Sequence, residues 1–264
     1  MNRDVSTAAN SNETISKVWP TVGLLGYAGS MAHGTQDDQT DDIDMMGIFI
    51  SPLSHYLGLT TIDHAIKVDV MGKYDFCLYE IRKYFKLLLN NNPNVMSLMF
   101  LPDNMYLTQK RWGKRIVDSR GLFMSKKLHK SFGGYAWAQI IKMERSCTNQ
   151  AYQGAKRKER FQKFGYDCKN AAHSIRLLKM GVEALSTGEI NVHRSDAQQL
   201  REIKMGKWSK ESVLTEARRL LILMDEALVR SPLPANPDFH GAEDLLIDIL
   251  TIELRQKCHT AEDA

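Results

Sequence analysis

Four cysteines in 264 residues, Cys77, Cys147, Cys168 and Cys258, stand far apart in the chain. No two of them have metal-ligand spacing, and so few scattered thiols make no disulfide framework. They read as reduced cysteines of a cytoplasmic protein. No apolar run approaches the ~20 residues of a membrane span. The first fifteen residues are polar and lack the apolar segment of a secretion signal, so they read as a frayed start. Net charge is small, +4 with a pI near 8.8, which permits an anionic partner without demanding one. Internal repeats and low-complexity segments are absent. What remains, 43% hydrophobic and 25% charged, is an ordinary globular composition. The length suits one large or two modest domains with a packed core.

Strand signals concentrate in the first third. Thr21–Tyr27 is an apolar run bounded by glycine, Asp42–Ile50 is a second, and Ile66–Val70 alternates cleanly. Ser54–Leu59 reads as a single helical turn. Leu78, Ile81, Phe85, Leu88 and Leu89 then fall at helical spacing up to Asn90-Asn91-Asn92-Pro93, where proline stops the helix. From Val95 onward the pattern is helical. A helix follows Gly133-Gly134 from Tyr135, and a long one runs from Tyr166-Asp167 to Gly188. Ser195 and Gln198 have the spacing of a capping box for a helix through Lys204. Ser209–Arg230 and Ala242–Lys257 complete the set, divided by Pro232, Pro234 and Pro237. The expected fold is α+β: a mixed-sheet domain over 1–120, then an α-helical domain over 121–264.

The chemistry concentrates between Val22 and Ile50. After the first strand comes Gly29-Ser30, and the second strand opens Asp42-Ile43-Asp44. Alternation points Asp42 and Asp44 to the same face, roughly 7 Å apart. Two carboxylates so placed repel unless a divalent cation lies between them, and Mg²⁺ takes one or two carboxylates together with phosphate oxygens. A Gly-Ser turn leaves amides and a hydroxyl free to hold phosphate. A lone Asp-x-Asp is common, but the Gly-Ser pair a dozen residues earlier makes the combination more specific. A calcium loop starting at Asp37 fails, because its seventh and twelfth residues are Ile43 and Ile48.

Two-metal phosphoryl transfer also asks for a third carboxylate. Asp69, on the polar face of its strand, and Asp75, just before a helix, are both candidates, and spacing does not choose between them. Lys169, His173 and Arg176 share one helix face. Taken alone such a stripe is more often solvated than functional, and the alternative is a cationic wall for a triphosphate. The basic segment Lys156–Lys163, with Phe161 and Phe164, offers RNA contacts but reads first as a solvated face.

Three blocks in order carry a resemblance that covers most of the chain, from about Leu24 to Pro237. They are Gly29–Gly34 with Asp42–Ile48, Asp75–Phe85 running on to Val95, and Gly165–Leu178 with Gly188–Val192. The chain resembles nucleotidyltransferases of the DNA polymerase β superfamily, more closely the YcgL/RlaP-type branch of bacteria and phages. The resemblance implies that Gly29 and Ser30 hold nucleotide phosphates and that Asp42 and Asp44 bind metal. It favours Asp75 as the third carboxylate and turns Lys169, His173 and Arg176 into a phosphate or substrate wall. Ser97 departs from the pattern, standing where relatives often carry glutamate. The implied activity is Mg²⁺- or Mn²⁺-dependent transfer of a nucleoside monophosphate from an NTP to an acceptor hydroxyl, an RNA end first. A protein or small-molecule acceptor, or a catalytically silent nucleotide-binding regulator, stands as the alternative.

Overall fold

The computed structural model describes residues 21–36, 42–59, 65–70, 73–145 and 163–262. The polar start, most of the acidic loop and the basic stretch 156–162 lie outside the described residues.

Five strands form one sheet in the order β3-β4-β2-β1-β5. They are β1 Val22–Tyr27, β2 Ile43–Phe49, β3 Ala65–Val70, β4 Tyr74–Glu80 and β5 Tyr106–Gln109. Only β2 and β4 run parallel; the other pairs are antiparallel. The turns α1 Gly29–Ala32 and α2 Ser54–Leu57 flank β2. Then come α3 Ile81–Leu89, α4 Pro93–Met99, α5 Arg111–Asp118, α6 Lys127–Arg145, α7 Cys168–Thr187, α8 Ala197–Lys204, α9 Lys210–Arg230 and α10 Phe239–Glu262. The architecture is α+β, a mixed sheet followed by a helical region.

The sheet separates two apolar clusters. Val22, Leu25, Met45, Phe49, Val68, Phe76 and Leu78 pack on one face. Leu24 and Ile48, alternate residues on the same strands, join a much larger cluster that continues through α3 and α4 into α6, α7 and α9. Both faces of β1 are therefore covered, which is why that strand reads as an unbroken apolar run.

Several boundaries differ from the sequence reading. Leu78 belongs to β4, and the helix starts only at Ile81, because seven residues of β4 pair in parallel with β2. Glu80 caps that helix, accepting from the Lys83 amide at 3.2 Å. Asp75 therefore sits inside a strand and caps nothing. Helix α6 begins at Lys127, ahead of the Gly-Gly pair, with Leu128, Phe132, Ala136, Ile140 and Met143 buried at helical spacing. The Ser195–Gln198 capping box does not form. Asp196 occupies the cap position of α8, and its carboxylate turns instead to Lys179 and Arg194. Helix α10 starts at Phe239 and continues to Glu262.

Candidate active site

Strand β1 ends at Tyr27, and the chain turns sharply over the start of β2. The Ala28 amide donates to the Asp44 carbonyl at 2.8 Å. Gly29 follows with φ +53°. A Cβ there would lie 1.8 Å from Oδ2 of Asp44, so both the conformation and the space require glycine. The turn thus sets the Gly29-Ser30 backbone directly against a carboxylate. The Ser30 hydroxyl has no partner among the described residues.

Register assembles the acids. Asp44 pairs with Asp75 across the parallel β2–β4 ladder, and Asp75 pairs with Asp69 across the antiparallel β4–β3 ladder. Paired residues share a face, so all three carboxylates point the same way, about 4.8 Å apart per strand. Asp42 precedes Asp44 by two residues and is exposed on the same side. Asp42, Asp44 and Asp75 line a cleft of about 500 Å³, a size suited to a small ligand, whereas Asp69 lies one strand further out and does not line it. Burial raises the Asp44 pKa above the ordinary carboxylate value; Asp75 and Asp42 push it further up, and Lys169 opposes them.

Helix α7 forms the opposite wall. Its start is capped by Asp167, which accepts from the amides of Lys169 and Asn170, both at 3.1 Å. Gly188, at φ +78°, ends it. Ala171, Ile175, Leu178 and Leu185 bury one stripe, and Ser174 donates to the Ala136 carbonyl on α6 at 3.1 Å. That rotation leaves Lys169, His173 and Arg176 lining the cleft. Nε2 of His173 is buried without a hydrogen-bond partner among the described residues. Burial, with Lys169 and Lys142 nearby, lowers the His173 pKa to about 4, so the ring is neutral at pH 7. Burial and the Arg194 guanidinium lower the Arg176 pKa to about 9. No carboxylate pairs with Arg176 among the described residues, whereas Arg194 is held by Glu183 at 2.6 Å and Asp196 at 2.8 Å. A charged guanidinium left unpaired beside a cleft is suited to an anion.

The two walls are joined by the loop after α1. Nδ1 of His33 lies 2.9 Å from the Val192 carbonyl, and Arg201 donates to the Gly34 carbonyl at 2.6 Å.

Some cleft residues escaped the sequence reading. Lys67 faces the cleft from β3. Its signal was present, since the alternation that turns Asp69 to the polar face turns Lys67 there too. Lys204, Cys77 and Tyr79 also line the cleft. Only helix orientation and strand register bring them in. Ser97 lines it as well, its hydroxyl donating to the Pro93 carbonyl at 3.0 Å.

Among the described residues no three or more His, Cys, Asp or Glu side chains are gathered so as to hold a metal ion by themselves. The donor set nevertheless fits a hard cation that arrives with a polyphosphate. It is all carboxylate, it is short of positive charge at Asp44, and it leaves positions for phosphate oxygens.

A family model for the RNA repair pathway DNA polymerase beta family matches residues 4–222. The chain belongs to this family. DNA polymerase β-family nucleotidyltransferases typically use divalent metals, in keeping with the carboxylates on the cleft floor. No curated protein matches the chain. Among solved structures it is similar to a nucleotidyltransferase-like protein from Exiguobacterium sibiricum, at 10% identity over 84% of this chain and 74% of that one, with a TM-score of 0.29. No described helix of this family member is long and apolar enough to cross a membrane.

Proposed function

We propose that the protein transfers a nucleoside monophosphate from an NTP to an acceptor hydroxyl, the hydroxyl of an RNA end, and releases pyrophosphate. One observation carries this reading. Asp44 and Asp75 stand side by side across the β2–β4 ladder on the floor of a cleft whose facing wall carries Lys169 and Arg176. Negative charge on one side and positive on the other is the arrangement that a metal-bound polyphosphate completes. The family's place in RNA repair supports RNA as the acceptor.

Asp42, Asp44 and Asp75 would hold Mg²⁺ or Mn²⁺, which when bound neutralises phosphate oxygens and the charge that develops on them. The Gly29-Ser30 turn and the Ser30 hydroxyl hold phosphate oxygens at the glycine end. Lys169 and Arg176 balance their charge from α7. Asp75 would accept the proton of the acceptor hydroxyl. That oxygen bonds to the α-phosphorus, the bond to the bridging oxygen breaks, and pyrophosphate leaves. No covalent enzyme intermediate is needed, so positioning and electrostatics supply the rate.

The test is pyrophosphate release from each of the four NTPs with Mg²⁺ or Mn²⁺, with and without RNA. An Asp42→Asn, Asp44→Asn double variant is the control. RNA-stimulated release that disappears in the double variant is expected. Tight NTP binding with no release under any condition would overturn the transferase and leave a nucleotide-binding regulator.

A further inference from the structure

His33 closes the Gly29–Gly34 motif and has no part in the mechanism above. It follows Ser30 by one helical turn, is only 5% exposed, and lines the cleft. Its Nδ1 lies 2.9 Å from the backbone carbonyl of Val192. A carbonyl oxygen only accepts, so Nδ1 carries the proton. In a neutral imidazole this leaves Nε2 with a lone pair. Nε2 finds no partner among the described residues.

We infer that Nε2 of His33 accepts a hydrogen bond from an uncharged donor on the nucleoside part of the substrate, and so makes His33 a specificity-determining residue. The inference rests on the nucleotide reading of the cleft. A triphosphate offers Nε2 only acceptor oxygens, and those are served by Ser30, Lys169 and Arg176. The donors that remain on ATP are its ribose hydroxyls and the exocyclic amine of its base. The ring is also rigidly held. Val192 fixes it from the loop between α7 and α8, and the His33 carbonyl accepts from the Arg194 amide at 3.4 Å. Fixed geometry is what turns one hydrogen bond into discrimination, because an analogue lacking the donor leaves that acceptor unpaired.

His33→Asn tests this. The asparagine amide nitrogen keeps a donor for the Val192 carbonyl, while nothing replaces Nε2. Dissociation constants of the full-length wild type and variant are measured for ATP, 2′-deoxy-ATP, 3′-deoxy-ATP and UTP. Wild type is expected to bind one of the analogues about fivefold to tenfold more weakly than ATP, the worth of one buried hydrogen bond. In His33→Asn that ratio falls to about one. A loss confined to a deoxy analogue assigns the donor to the sugar, and a loss confined to UTP assigns it to the base amine. Equal wild-type affinity for all four, or a variant that weakens all four alike and keeps the wild-type ratios, would overturn the assignment. Wild type that binds no nucleotide at all would remove the nucleotide reading, and this assignment with it.

Discussion

The α-carbon of Gly29 is seated on the carboxylate of Asp44, so closely that a Cβ at residue 29 would lie 1.8 Å from Oδ2. The Gly29-Ser30 turn and the acid on the floor of the cleft are therefore one packed unit. Neither can shift without the other.

Gly29→Ala tests that unit. Forcing a non-glycine residue to φ +53° costs about 1–2 kcal/mol, before any clash is counted. The methyl group must also displace the Asp44 carboxylate. A modest drop in the thermal midpoint is expected, together with loss of nearly all pyrophosphate release. A variant that unfolds earlier yet keeps wild-type turnover at low temperature would show that the contact serves only folding.

Asp44→Asn separates stability from activity in the opposite sense. The Asp44 pKa is raised in the folded protein, by burial first and then by Asp75. The stability linked to its protonated form is present below the ordinary carboxylate pKa and is lost as pH rises through the raised value. At pH 7 the wild type therefore carries a penalty that asparagine removes. A slightly higher unfolding midpoint is expected at pH 7, the difference shrinking toward pH 3. Turnover falls by at least about a hundredfold.

His173 contributes acid sensitivity. Its pKa is lowered to about 4 from an ordinary 6.5, by burial and by Lys169 and Lys142. Between those values the unfolded chain binds the proton and the folded protein does not, so stability is lost as pH falls from about 6.5 to about 4. Urea midpoints of wild type and His173→Asn, compared at pH 7 and pH 5, report this. The wild type loses more on acidification than the variant. An equal loss in both would place the acid sensitivity elsewhere.

Arg176→Met removes a cation that no carboxylate balances among the described residues. Folding no longer has to bury a lone guanidinium, so the unfolding midpoint holds or rises. NTP affinity falls about tenfold to a hundredfold, the loss of a charge-assisted hydrogen bond. Isothermal titration and thermal unfolding on the same variant decide it. Unchanged affinity would remove Arg176 from the phosphate wall.

Local pattern alone carried much of this protein. Apolar runs marked β1 and β2, alternation marked β3, and Asp167 and Gly188 bracketed α7 where the sequence places them. The motifs announced the family, along with Gly29, Ser30, Asp42 and Asp44. These signals are readable because they depend on residues near one another in the chain: a turn that needs glycine, a period of two, a period of 3.6. Strand β4 was not readable in this way, because Leu78, Ile81 and Phe85 suit a helix until parallel pairing with β2 claims Leu78. That Asp75 and not Asp69 lines the cleft follows from strand register, which only the assembled sheet possesses. The same holds for the charge states of His173 and Arg176. Each depends on what α6, α8 and the sheet bring against α7, and on the absence of a carboxylate beside Arg176 among the described residues. Sequence named groups that line the cleft. Tertiary packing decided which of them face one another, and burial decided which protons they hold.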